Sequence, residues 1–182
     1  VCQDMGEGGI VNSICAAKLD KQAKFYSTGL STGSRLSRHE CHVHFWAPGS
    51  SASINSAALV AGERHSDFTT DTQFRAEGCA VSQLHKGVAK DRGRNVFQGK
   101  FHVFREAQKT DAKMAANALI LSDGAEANHK PELEIYADDV ECAHGSTVGA
   151  LDEDALFYLR QRGLNENEAR ALLIEAFVGE VV

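Results

Sequence analysis

A chain of 182 residues with 43% hydrophobic side chains can bury one sizeable core, and 24% charged residues argue against both disorder and a membrane protein. The net charge of −6 is unevenly placed: residues 1–131 carry 16 Lys and Arg against 13 Asp and Glu, whereas residues 132–182 carry 3 against 12. An acidic chain with an acidic end is a poor partner for nucleic acid, where clustered cations must neutralise phosphate, and no apolar run approaches the ~18 residues that span a bilayer.

From about residue 24 to residue 147 the chain reads as short strand-like runs. They are CHVHFW (41–46), SASINSAALV (51–60), DFTTDTQF (67–74), NVFQGKFHVF (95–104), NALILS (117–122) and ELEIYA (132–137). Turn residues punctuate them at Pro48-Gly49-Ser50, Ala61-Gly62, Glu77-Gly78, Asp91-Arg92-Gly93 and Ser122-Asp123-Gly124. Turn signals every ~8–12 residues predict an all-β domain. The absence of alternating long helices argues against a doubly wound sheet. Small and polar residues occupy many positions where a sandwich would place Val or Ile. That composition suits stacked solenoid rungs, yet no exact repeat can be read off, so solenoid and sandwich both stay open.

After residue 150 the pattern changes. Asp152 is placed to cap a helix with Glu153 and Asp154 in its first turn and Arg160 and Arg162 in its last, and Gly163 fits a left-handed end. Asn165 then caps a second helix, and Glu168 completes a capping box. Ala169, Leu172, Leu173, Ala176 and Phe177 give this helix an apolar face. Residues 1–150 are thus expected to form a β core and residues 151–182 a helical hairpin, which either packs on the end of the core or meets a partner. A start at Val1 without a leader, and a stop at Val182, lead us to expect that both parts are truncated and that the protein is cytoplasmic. Five scattered cysteines (Cys2, Cys15, Cys41, Cys79, Cys142) without a CxxC pair fit thiols in a reducing compartment.

Four constellations could carry chemistry. In ADDVECAHGSTVG (137–149), Cys142 and His144 on a strand would project to one side, about 6.5 Å apart, and both are ligand types for iron, zinc and iron–sulfur clusters. Two ligands do not close a site, so the pair points to a labile site or to one completed by another chain, while a buried Cys beside a hydrogen-bonded His is the simpler reading. In RHECHVHF (38–45), parity separates His39 and Cys41 from His42 and His44. His65 and Asp67 resemble a His–carboxylate pair without a nucleophile, and polar packing is the simpler reading. Lys109, Thr110 and Asp111 could form an acid/base couple but more simply finish a turn. No GxxxxGK[ST], GxGxxG or GxSxG element is present, so the chain is expected to bind no nucleotide.

Longer words carry a family resemblance. LHKGVAKDRGRNVFQGKFHV (84–103), AQKTDA (107–112), KPELEIYADDVECAHGSTVGALDEDALFYLRQRGL (130–164) and EARALLIEAF (168–177) resemble the SufB/SufD family of iron–sulfur cluster assembly proteins in order and spacing. The CAHGSTVG segment resembles the SufD branch, since the SufB form carries an acidic HE-type pair there. The resemblance implies a right-handed parallel β-helix with a C-terminal helical domain. It also implies a non-enzymatic scaffold subunit that pairs with a SufB paralogue and docks SufC, an ABC-type ATPase. The chain alone could form a homodimer. A transient cluster or iron would sit at the SufB–SufD junction with Cys142 and His144 as ligands. The ATPase would meet Leu156, Phe157, Tyr158, Leu159, Arg160, Leu172 and Phe177. The rival readings are a SufB-like principal scaffold and a metal-dependent enzyme on a β-helix.

Overall fold

The computed structural model describes residues 8–181, together with the backbone of Cys2–Gln3. In chain order the elements are β1 (Cys2–Gln3), β2 (Ile10–Leu19), β3 (Lys24–Ser31), β4 (Leu36–Phe45), β5 (Ser51–Val60), β6 (His65–Phe74), β7 (Ala80–Ala89), β8 (Arg94–Val103), β9 (Thr110–Ile120), β10 (Glu126–Ile135), β11 (Val140–Gly149), α1 (Glu153–Gln161) and α2 (Glu166–Gly179). Odd-numbered strands form one sheet in the order β1-β3-β5-β7-β9-β11, and even-numbered strands form a second in the order β10-β8-β6-β4-β2. The ladders within both sheets are parallel. A chain that alternates between two parallel sheets is a solenoid, which decides the question that composition left open. Phe45, Phe74, Val103 and Ile135 stand in register one rung apart, at steps of 29, 29 and 32 residues.

The two sheets divide the packing between large and small side chains. The even sheet supplies Phe45, Phe68, Phe74, Phe97 and Phe101, while the odd sheet faces them with Ala52, Ala58, Ala112 and Ala116, all buried. Five phenyl rings in so narrow a lumen need small partners opposite, because interiors pack to nearly crystalline density. This is why alternation was weak in the odd-sheet runs: small residues there, such as Ala52, Ser56 and Ala116, are core choices. Phe45 and Phe74 stack at 4.6 Å, and Phe74 meets Phe101 edge-on at 6.0 Å.

The corners repeat as well. Residues with φ between 56° and 75° recur at Gln22, Gly49, Gly78 and Lys109 on one corner and at Gly33, Gly62 and Asp91 on another. Each amide on the first corner bonds to the rung above, as in Gly49 N–H to the Glu77 carbonyl (3.2 Å) and Gly78 N–H to the Gln108 carbonyl (2.9 Å). Left-handed backbone suits glycine, and three corners hold it with Gln, Asp or Lys instead. That irregularity hid the period. The expected strand set also began too late: Ile10–Leu19 already forms a full-length rung strand.

Both helix caps appear as read. The Asp152 carboxylate accepts from the Asp154 and Ala155 amides, and Asn165 with Glu168 forms a complete capping box. Gly163 takes φ 96°. The hairpin, however, lies on the flank of the odd sheet and leaves the last strands, β10 and β11, uncovered. Outward-facing Ala57, Lys86 and Val88 are buried beneath it. Lys86 Nζ reaches a Glu180 carboxylate oxygen at 2.8 Å and sits 4.4 Å from the Phe177 ring centre, and Asn55 donates to the Val181 carbonyl. A small cluster of Leu151, Leu156 and Ala169 with Leu119, Leu121 and Leu173 glues the hairpin to the ends of the strands. No helix of the described residues is long and apolar enough to cross a membrane.

Candidate functional site

Cys142 and His144 lie on β11, the edge strand of the odd sheet. In register they stand beside Ala112 and Met114, both of which face the lumen, so the two side chains share the inward face, as their spacing predicts. Cys142 is half-buried against the core cluster that includes Val140 and Leu133. Burial pushes its thiol above the usual range, the Asp111 carboxylate adds to this, and the Ala112 backbone opposes it. The thiol is therefore protonated at neutral pH. His144 is exposed, because no described strand stacks on β11. A groove of about 350 Å³ runs beside it, with Leu84, Lys113, Ala115, Ala143 and Gly145 in its wall.

Sequence reasoning missed a second imidazole at this end. His129 on β10 faces inward across the lumen, hydrogen-bonded through Nδ1 to Ser146 Oγ at 3.0 Å, two residues beyond His144. Burial lowers its pKa, against the pull of the Ala116 backbone. Its ring meets that of His85 edge-on at 5.7 Å. The only sequence signal was its odd–even parity with Leu133, which marks the inward face of β10.

The other constellations resolve into packing. His39 and Cys41 face in, and His42 and His44 face out, as parity required. His42 Nε2 lies 3.3 Å from Glu40 and its Nδ1 4.0 Å from Asp71. Asp67 is buried by Arg38, whose guanidinium donates to one carboxylate oxygen at 2.8 and 3.2 Å, and by the Thr69 hydroxyl. His65 lines a cavity of about 490 Å³, where Glu63 pairs with Arg92 and Glu126 with Arg94. Burial lowers its pKa first of all. Lys109 turns the corner, Thr110 Oγ1 donates to the Ala107 carbonyl at 2.8 Å, and Asp111 pairs with Lys113 rather than Lys109. The turn reading holds and the acid/base couple does not form.

Of the helical residues, Leu156 is buried and Leu159 packs inward on the same cluster. Phe177 lies under the Lys86 ammonium. The outer surface is left to Phe157, Tyr158 and Leu172, at 65%, 57% and 45% exposure, and to Arg160. Phe157 and Arg160 also line a cleft of about 450 Å³ with Gln161, Leu164, Asn165 and Glu166.

The model of the SufBD core domain of the SUF iron–sulfur cluster assembly system matches residues 2–177. The chain belongs to the SufBD family. It is 39% identical over 163 residues to the iron–sulfur cluster assembly protein SufD of Escherichia coli, which covers 90% of this chain and 38% of that protein. A SufBD family protein of Synechocystis is 38% identical over 162 residues, 89% of this chain and 36% of its own length. A chloroplast protein of Arabidopsis thaliana is 35% identical over 164 residues, 90% of this chain and 34% of its own. The chain therefore spans just over a third of the length of these SufBD relatives.

Proposed function

We propose that this chain acts as a SufD-like, non-enzymatic subunit in iron–sulfur cluster assembly, pairing with a SufB paralogue and docking the SufC ATPase. The observation that carries the reading is the placement of Cys142 and His144 on an uncovered edge strand. Among the described residues no group of three or more His, Cys, Asp or Glu is placed to hold a metal ion. One thiol and one imidazole supply two ligands where a closed site takes about four. A neighbouring chain stacked on β10 and β11 would supply the others and would also satisfy the open backbone edge. Neutral imidazole and thiolate are both ligands for iron and for clusters.

The order of ligation follows from exposure. His144 reaches an incoming iron or cluster with no rearrangement. Cys142 joins only on losing its proton, which the metal ion drives. The hairpin leaves this edge free while presenting Phe157, Tyr158, Arg160 and Leu172 on a separate surface, so ATPase docking and cluster handling need not compete. Cluster release then requires only that the junction rearrange.

The test is anaerobic co-purification with SufB- and SufC-type partners, scored for iron, sulfide and visible absorbance. His144→Ala should keep the complex intact and lower iron and sulfide together. Normal cluster content in the variant would remove His144 from the site. Failure of the wild-type chain to enter the complex, or its ability to replace the SufB partner, would overturn the SufD-like reading itself.

A further inference from the structure

A different pair of side chains, unconnected with the metal reading, stands at the other end of the solenoid. Cys15 on β2 and Cys41 on β4 are direct register partners on adjacent parallel strands. Both face the lumen: Cys41 is 1% exposed, and Cys15 is half-buried and packs on the same core cluster. Register and strand alternation therefore set the two thiols side by side on one inward face. Neighbouring strands lie about 4.8 Å apart, within the roughly 4.4–6.8 Å Cα separation of disulfides. The remaining described thiols have no such neighbour. Cys79 lies on a corner with the Ser50 hydroxyl and the Ala47 and Glu77 carbonyls, and Cys142 stands beside Ala112.

We propose that Cys15 and Cys41 form a reversible dithiol–disulfide couple that welds the first two rungs of the even sheet, oxidised by a small-molecule disulfide. The exposures fix the order of events. Cys15, the accessible partner, attacks the disulfide RSSR as its thiolate, forms Cys15–S–SR and expels RS⁻. Cys41 then attacks Cys15 Sγ, the internal bond forms and the second RS⁻ leaves. The Cys41 proton ends on that leaving thiolate. Two thiols are oxidised and one external disulfide is reduced to two thiols, so the exchange balances. Burial and the neighbouring Cys15 push the Cys41 thiol up to about 12, which makes Cys41 inert to external reagents and confines it to resolving the mixed disulfide.

The test uses the reduced protein incubated with oxidised glutathione, quenched with N-ethylmaleimide, digested and mapped by mass spectrometry. The expected product is a Cys15–Cys41 linked peptide that dithiothreitol abolishes, with hydrogen exchange slowed in β2 and β4 of the oxidised protein. Cys41→Ser should stall as a Cys15–glutathione adduct, and Cys15→Ser should leave Cys41 unmodified in the native fold. Should either serine variant fail to fold by circular dichroism, the alanine variant and the wild-type map still decide. A wild type that stops at the Cys15–glutathione adduct, or links Cys15 to another cysteine, overturns the proposal.

Discussion

His85 offers the sharpest test of the packing. It sits in the lumen fully buried, with Nδ1 2.8 Å from Ser56 Oγ and Nε2 3.2 Å from Asn95 Oδ1. The carbonyl oxygen of Asn95 can only accept, so Nε2 carries the proton and Nδ1 accepts from the Ser56 hydroxyl. Its ring stacks on Phe97 at 4.8 Å. Burial drives its pKa from 6.5 down to about 3, with His129 adding to the shift and Asn95 opposing it. A group whose folded pKa is depressed in this way binds its proton more readily in the unfolded chain. Its contribution to stability is whole above pH 6.5 and is lost as pH falls towards 3. The loss is about 1.4 kcal/mol per pH unit, or about 2 kcal/mol at pH 5. Urea unfolding at pH 7, 6 and 5 measures it for the wild type and for His85→Gln, which cannot titrate. Both will lose stability, since His39, His65 and His129 are also shifted down mainly by burial. The wild type should lose about 2 kcal/mol more than the variant between pH 7 and pH 5. Equal slopes, or a His85 ring resonance that titrates near pH 6.5, would refute the reasoning.

Three further outcomes follow from single contacts. Gly87→Ala places a methyl carbon 1.6 Å from Asn95 Nδ2. It should displace Asn95, break its bond to His85 and cost about 2–3 kcal/mol, read as a lowered thermal midpoint. Glu180→Gln leaves the buried Lys86 ammonium without its counter-charge. Because Glu180 is itself 60% exposed, the cost should be modest, about 1 kcal/mol, and confined to faster hydrogen exchange in α2, with β4 to β8 unchanged. Lys109→Gly removes a side chain held at φ 58° and should stabilise the solenoid by up to about 1 kcal/mol, seen as a higher urea midpoint.

Local chemistry was legible where one short segment decides the structure. Asp152, Asn165 with Glu168, and Gly163 each act through their own backbone neighbours, so both helix starts and the turn between them could be read directly. Parity likewise sorted His39 and Cys41 from His42 and His44, and set Cys142 and His144 on one face, because a strand alternates whatever surrounds it. The rung period was present in the steps between Gly33 and Gly62 and between Gly49 and Gly78. It was masked where Gln22, Asp91 and Lys109 hold the same backbone shape.

What residues 29 or so apart do to one another was beyond the sequence. Whether Ala112 and Ala116 were loop-like or core-like depended on phenyl rings from the opposite sheet. Lys86 reads as a surface lysine until α2 folds over it. His129 joins the open end, and Cys15 meets Cys41, only because the chain coils with a fixed register. Side-chain identity sets propensity and parity within a few residues, whereas burial, pKa and the company a ligand keeps are set by stacking, a property of the coil as a whole.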